Sequence, residues 1–195
     1  MSVAIIPARG GSRRIEKKNI KTFHGKPILA YSIEAAHASR LFDWVVVSTD
    51  DPEIAKVAKI YGAEVYLRPD EYAVNEVGTQ AVVQQYLLAH GHHRDTVCCI
   101  YATSPLMDVL DLAQGYKVLR ANQGANYVMS VGYPPLQDAA QFYWGWAEAF
   151  REGAPLIGPL TKMIHVAPER VCDINTHEDW ARAELMYTAL MEKQA

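Results

Sequence analysis

MSVAIIPARGGSRRIEKKNIKTFHGKP, residues 1–27, joins a short apolar run to a glycine-containing loop dense in positive charge. Residues 3–7 are apolar with β-branched members, the pattern of a buried strand. The run ends in Ala8-Arg9-Gly10-Gly11-Ser12-Arg13-Arg14, and Lys17-Lys18-Asn19 follow shortly after. Paired glycines allow φ > 0 and let the backbone approach a ligand with no Cβ in the way. Successive N–H groups in such a turn form a concavity that binds anions. Arg9, Arg13, Arg14, Lys17, Lys18 and Lys21 place six cations in 13 positions, opposed only by Glu16. A loop of this kind after a first strand suits a nucleoside triphosphate. It is neither a Walker A loop nor a Gly-x-Gly-x-x-Gly fingerprint.

Composition narrows the class. A chain of 195 residues fits one domain, residues 1–195, that buries roughly 70% of its unfolded surface. Half of it is hydrophobic and 21% charged, as in soluble globular proteins. A net charge of −3 argues against nucleic-acid binding, which needs a basic face. No apolar run is long enough for a membrane span. With no basic segment ahead of the first apolar run, a cytoplasmic location is expected. Cys98, Cys99 and Cys172 have no metal-site spacing and read as buried free thiols.

Strand and helix patterns alternate along the rest of the chain, which predicts an α/β fold. Pro27 suits the first turn of a helix that covers 28–36, and 44–48 reads as a fully buried strand. Asp51 before Pro52 caps a helix over 53–61 that Gly62 ends, and a third strand covers 63–67. Ser48 and Asp50 lie at a strand's carboxyl end, where open sheets bind ligands, and turn chemistry explains them equally well. Thr79 can cap a helix over 80–89. His90-Gly91-His92-His93 reads as a solvated turn rather than a metal site. A fourth strand over 96–102 delivers Thr103 and Ser104, whose hydroxyls suit a ribose or a base edge. A helix over 108–121, a strand over 125–131, an amphipathic strand over 141–144, a helix over 146–152 and a strand over 161–166 follow. Thr176 precedes the last helix with Asp179 three residues on, which predicts only a weak capping box.

AIIPARGGSRRIEKKNI followed by GKPILAYSIEAA resembles the N-terminal signature of the cytidylyltransferases that activate nine- and eight-carbon acidic sugars with CTP, above all the pseudaminic acid cytidylyltransferases. The resemblance implies a Rossmann-like three-layer sandwich on a mostly parallel mixed sheet, of the nucleotide-diphospho-sugar transferase type. It implies that the loop Ala8, Gly10, Gly11, Ser12 and Arg13 wraps the CTP phosphates, with Arg9 and Lys18 on phosphate oxygens and Asn19 beside the nucleoside. Arg13 stands where the family commonly has Lys, which keeps the charge but changes its shape. STDD, RP and Thr79 match further family positions and imply Arg68 and Thr79 near the base or ribose, with Thr103 and Ser104 beside them. Gln141-Phe-Tyr-Trp144 matches a motif that implies Gln141 and Tyr143 against the acid sugar. The family's long excursion before that motif, which adds to the sugar pocket and the dimer contact, is cut short here near 132–138. The chain is either naturally shorter or lacks an insertion.

An Asp-x-Asp before the last helix holds Mg²⁺ in the family. Asp173 supplies the first carboxylate, unless it serves only its turn, and Asn175 stands in the second position, where its oxygen can still ligate. Mg²⁺ commonly takes one or two carboxylates together with substrate phosphates. The reaction implied joins CTP to pseudaminic acid, giving the CMP-sugar and pyrophosphate, with Arg9, Lys18 and Asp173 as the catalytic set. Small-molecule substrates and a homodimer are the implied partners. A sialic, legionaminic or ketodeoxyoctulosonic acid as acceptor is one alternative. A CTP-binding homologue without catalysis, favoured by the shortening and by Asn175, is the other.

Overall fold

The computed structural model describes residues 1–74, 77–90, 95–132 and 136–193. The chain runs β1 (Ser2–Pro7), a short ladder of β2 (Thr22–Phe23) with β3 (Lys26–Pro27), α1 (Ile28–Ser39), β4 (Trp44–Thr49), α2 (Pro52–Ile60) and β5 (Glu64–Leu67). It continues through α3 (Thr79–His90), β6 (Thr96–Ile100), α4 (Val109–Ala121), β7 (Tyr127–Gly132), β8 (Gln137–Trp146), α5 (Ala147–Arg151), β9 (Thr161–His165) and α6 (His177–Glu192). Seven strands make one sheet in the order β5-β4-β1-β6-β8-β7-β9. β5, β4, β1 and β6 pair in parallel, β8 is antiparallel to both its neighbours, and β9 is parallel to β7. The predicted α/β sandwich on a mostly parallel mixed sheet is therefore present.

Side chains alternate across the pleat, so every strand feeds two cores. On one face Ala4, Ile6, Val45, Val47, Cys98 and Ile100 pack against Leu29 and Ile33 of α1, Ile54 of α2 and Leu112 of α4. On the other, Val3, Ile5, Val46, Val97 and Cys99 meet Val83 and Leu87 of α3 and Phe150 of α5. The adjacent cysteines thus point to opposite layers. Both are free and buried, and burial pushes the Cys99 thiol up to about 12, which makes it unreactive. A third cluster fastens α6 to the base of the N-terminal loop, where Trp180 and Ala183 meet Ile15, Phe23 and Ile28.

The caps follow the sequence closely. Asp51 Oδ1 accepts from the Glu53 and Ile54 amides at 2.7 and 3.1 Å, and Gly62 ends the following turn at φ +85°. The weak capping box predicted at α6 is in fact complete. Asp179 N–H donates to Thr176 Oγ1, and Asp179 Oδ2 accepts from the amides of both Thr176 and Asn175 at 2.9 and 3.0 Å. The shorter carboxylate still spans the turn.

The stretch over 141–144 needs correction. It is not amphipathic but the centre of β8, buried on both faces between β6 and β7. Trp144 is wholly enclosed, stacks on Phe42 and donates its indole N–H to the Leu112 carbonyl. Gly115 of α4 lets the helix come that close, since a Cβ there would stand 2.8 Å from the Trp144 ring. Trp144→Ala should cost about 3–5 kcal/mol of stability by opening this space, read as a lower urea midpoint at unchanged slope. His90 is described, stacking on Tyr86, whereas residues 91–93 of the histidine tract lie outside the described residues, as do 133–135 of the shortened segment. No helix among the described residues is long and apolar enough to cross a membrane.

Candidate active site

The carboxyl ends of β1, β4, β5 and β6 open into a cleft of about 490 Å³, within the range of about 300–1,000 Å³ usual for small-molecule sites. Pro7, Arg9, Ser12, Arg13, Arg14, Lys18 and Asn19 line it from the N-terminal loop. Arg68 enters from the end of β5, Val77, Thr79 and Val82 from the start of α3, and Tyr101 to Thr103 from the end of β6. Asn175 closes the far side from the segment that precedes α6. Bringing residues 9–19, 68, 79, 101–103 and 175 together is a property of the sheet order. β1 lies between β4 and β6, with β5 beyond β4.

The loop's six cations divide. Arg9, Arg13, Arg14 and Lys18 line the cleft, whereas Lys17 turns outward onto Glu53 at 2.6 Å and Lys21 lies over the Trp180 ring. The division is made by the backbone: Lys17 takes the left-handed conformation (φ 47°) at the start of a single helical turn over Lys18–Ile20. Consecutive lysines thereby leave on different sides. Lys18 is half-buried and donates to the Ile174 carbonyl at 2.6 Å. Burial lowers its pKa, Asp173 opposes that shift, and Arg14 and Arg9 add to it.

The glycine pair acts through closeness rather than through φ. Neither Gly10 nor Gly11 has positive φ. The Gly10 amide donates to Asp50 Oδ1 at 3.0 Å, and a Cβ on Gly10 would stand 2.5 Å from Asp51 Oδ2. Acidic residues at the end of β4 thus hold the loop down while Asp51 also caps α2. Gly11 faces open space. Ala8 is buried and donates its N–H to the Ser48 carbonyl, so it anchors the loop to the sheet.

Arg68 forms the floor. It is 6% exposed and donates to the Ser48 and Tyr72 carbonyls, yet its Nε and the Ser48 hydroxyl have no hydrogen-bond partner. A buried donor that finds no acceptor in the protein suits a ligand acceptor. Asn19 lines the cleft with its amide nitrogen donating to the Arg9 carbonyl at 2.9 Å.

Other expected site residues are placed differently. Thr79 is the first residue of α3, and its hydroxyl pairs with the Tyr143 hydroxyl at 2.7 Å. Tyr143 is 1% exposed, so it props the cleft wall from beneath instead of facing a sugar. Gln141 is equally buried and donates to the Arg170 carbonyl, because β8 is an interior strand. Ser104 donates to the Ala140 carbonyl and is buried, so of this pair only Thr103 lines the cleft. Asp173 is exposed and accepts from Asn175 Nδ2 at 2.5 Å. The Asn175 oxygen, expected on a metal, accepts instead from Arg14 at 2.8 Å. No group of three or more His, Cys, Asp or Glu side chains is arranged for a metal ion among the described residues.

Sequence reasoning gave no role to Tyr101 and did not pair Arg14 with Asn175. Tyr101 lies inside the strand expected over 96–102, and its place near that strand's carboxyl end is the signal that could have found it. The Arg14–Asn175 bond spans 161 positions and has no local signal.

Residues 3–140 match the family model described as cytidylyltransferase. The chain is 34% identical, over 95% of its length and 96% of the relative's, to a pseudaminic acid cytidylyltransferase of Campylobacter jejuni subsp. jejuni serotype O:23/36. The 223 aligned positions exceed this chain's 195 residues, so the relative holds internal residues with no counterpart here. Among solved structures, a CMP:2-keto-3-deoxy-manno-octonic acid synthetase complexed with CTP superposes with a TM-score of 0.77 at 16% identity, covering 100% of this chain and 99% of that one. A Mycobacterium tuberculosis protein in complex with manganese superposes with a TM-score of 0.68 at 14% identity, covering 93% and 96%. This chain belongs to the cytidylyltransferase family.

Proposed function

We propose that this cytidylyltransferase joins CTP to pseudaminic acid, releasing pyrophosphate and leaving the CMP-sugar. The observation that carries the reading is the convergence of Arg9, Arg13, Arg14 and Lys18 on one cleft whose floor holds a buried arginine with an unpartnered Nε. Identity to the Campylobacter enzyme supports the acceptor. In this reading Arg9, Gly11, Ser12 and Lys18 hold the triphosphate, and Asn19, Arg68, Thr79 and Thr103 surround the nucleoside. Displacement at the α-phosphate asks the protein for fixed positive charge and alignment more than for covalent help. Four cations line the cleft, and two of them, Arg14 and Lys18, are held by hydrogen bonds before the ligand arrives. The donor set also fits a divalent cation, because Asp173 offers one exposed carboxylate at the cleft's edge and triphosphate oxygens complete such a shell. When bound, Mg²⁺ neutralises phosphate charge; Asp173 is the residue that would hold it.

Pyrophosphate release should be measured with CTP, Mg²⁺ and a panel of pseudaminic, N-acetylneuraminic, legionaminic and ketodeoxyoctulosonic acids. Turnover greatest with pseudaminic acid is expected. Faster turnover of another acid would reassign the acceptor, and CTP binding without turnover on any of them would favour a nucleotide-binding protein without catalysis. A homodimer belongs to the same reading, and light scattering should give twice the chain mass.

A further inference from the structure

We infer that Asn175 is a positioning residue, a brace between the phosphate loop and Asp173, and not a metal ligand. The inference deepens the CTP reading above and rests on it. The Asn175 carboxamide is used at both ends: its oxygen accepts from the Arg14 guanidinium at 2.8 Å, and its nitrogen donates to Asp173 Oδ2 at 2.5 Å. The orientation of the amide follows from its partners, since a guanidinium can only donate and a carboxylate can only accept. Its backbone is held as well, through its N–H on Asp179 Oδ2, the carboxylate that caps α6. One residue earlier, the Ile174 carbonyl accepts from Lys18 at 2.6 Å. Two of the four cleft cations are thus tied to adjacent residues at the entrance to α6.

An amide is the side chain this position requires. Between a cation and an anion it satisfies both at once. An aspartate would still accept from Arg14 but would set a second carboxylate against Asp173 where the Asn175 amide now donates. Arg14 is exposed and has a long, mobile stem, so an acceptor that fixes its head removes rotamer freedom before the ligand arrives. The brace therefore prepares the positive side of the cleft for a triphosphate whether or not a divalent cation is bound. The oxygen that would serve a metal already accepts from a cation, which disfavours a second positive charge there.

A double-mutant cycle on CTP affinity tests this, read by calorimetry in EDTA and again with saturating Mg²⁺. In EDTA, Asn175→Ala should weaken CTP about three- to tenfold, as expected for the loss of one solvent-exposed hydrogen bond. Arg14→Ala should weaken it at least as much, and the double variant no more than Arg14→Ala alone. The ratio of affinities with and without Mg²⁺ should stay within about twofold of wild type in Asn175→Ala. Thermal unfolding verifies that each variant is folded; the Asn175 backbone bond to Asp179 does not depend on its side chain. Additive losses would overturn the brace. So would unchanged affinity in EDTA together with a diminished Mg²⁺ ratio, which is the signature of a metal ligand. If the wild-type chain itself bound no CTP, the functional reading would fall and the brace with it, whereas failure of the cycle on a wild type that binds CTP would remove the brace alone.

Discussion

Lys18→Ala is expected to lower kcat/KM for CTP by about 10²–10³-fold, the loss usual when one fixed donor to developing charge is removed. The upper end is about 4 kcal/mol, which is what a unit-charge pair about 4 Å apart is worth at an effective dielectric near 20. Lys18 should stand at this upper end because it is half-buried and already aimed, held on the Ile174 carbonyl. Lys17→Ala is its control: that side chain pairs with Glu53 outside the cleft and should change kcat/KM less than about twofold. The pH dependence has a definite sign. Burial lowers the Lys18 pKa, so the ammonium loses its proton at a lower pH than an ordinary lysine does. CTP binds the charged form; affinity is therefore full below that pKa and declines as pH rises through it. Lys18→Arg, which keeps its charge at higher pH, should move the alkaline limb upward. Steady-state kinetics across pH on the three variants checks all of this, and an alkaline limb that stays in place in Lys18→Arg would take Lys18 out of the phosphate contact.

Asp173→Ala is expected to reduce turnover in Mg²⁺ by about 10²–10³-fold, through loss of the carboxylate that would hold the ion against the phosphates. Binding in EDTA should move the other way. Without a cation Asp173 is a negative charge beside a negative ligand, and its removal should leave CTP affinity unchanged or raise it, because the Asp179 carboxylate still holds the Asn175 backbone and with it the acceptor for Arg14. This opposition separates a metal role from a structural one, because a carboxylate needed only for the turn would weaken binding in both conditions. Calorimetry with and without the cation, beside pyrophosphate release, gives the two numbers.

Much of the layered fold was legible because local signals agree. Residues 3–7 and 44–48 are apolar runs of strand length bounded by turn residues, and Asp51-Pro52 with Gly62 brackets a helix by chemistry that needs no tertiary partner. The interior placement of β8 was not legible. Ala139 to Gly145 mixes polar and aromatic residues, and only pairing with β6 and β7 reveals that Gln141 and Tyr143 are enclosed. The same limit applies to the cleft. Its loop was evident from charge density, but which cations face inward depends on one left-handed residue, Lys17, and on acidic partners 36 positions away at Glu53. Paired glycines suggested unusual φ; the reason at Gly10 is the Asp51 side chain, a neighbour that sequence distance hides.

The most direct test of a triphosphate cleft at Arg9–Asn19 is a titration of isotope-labelled protein with CTP and Mg²⁺, followed by the backbone amide resonances. The amides from Gly10 to Asn19, with those of Arg68 and Thr103, should shift together and saturate at one equivalent, while those of the outer helix surfaces stay in place. Resonances of the loop that remain unmoved at saturating CTP would contradict the assignment of this cleft to the nucleotide.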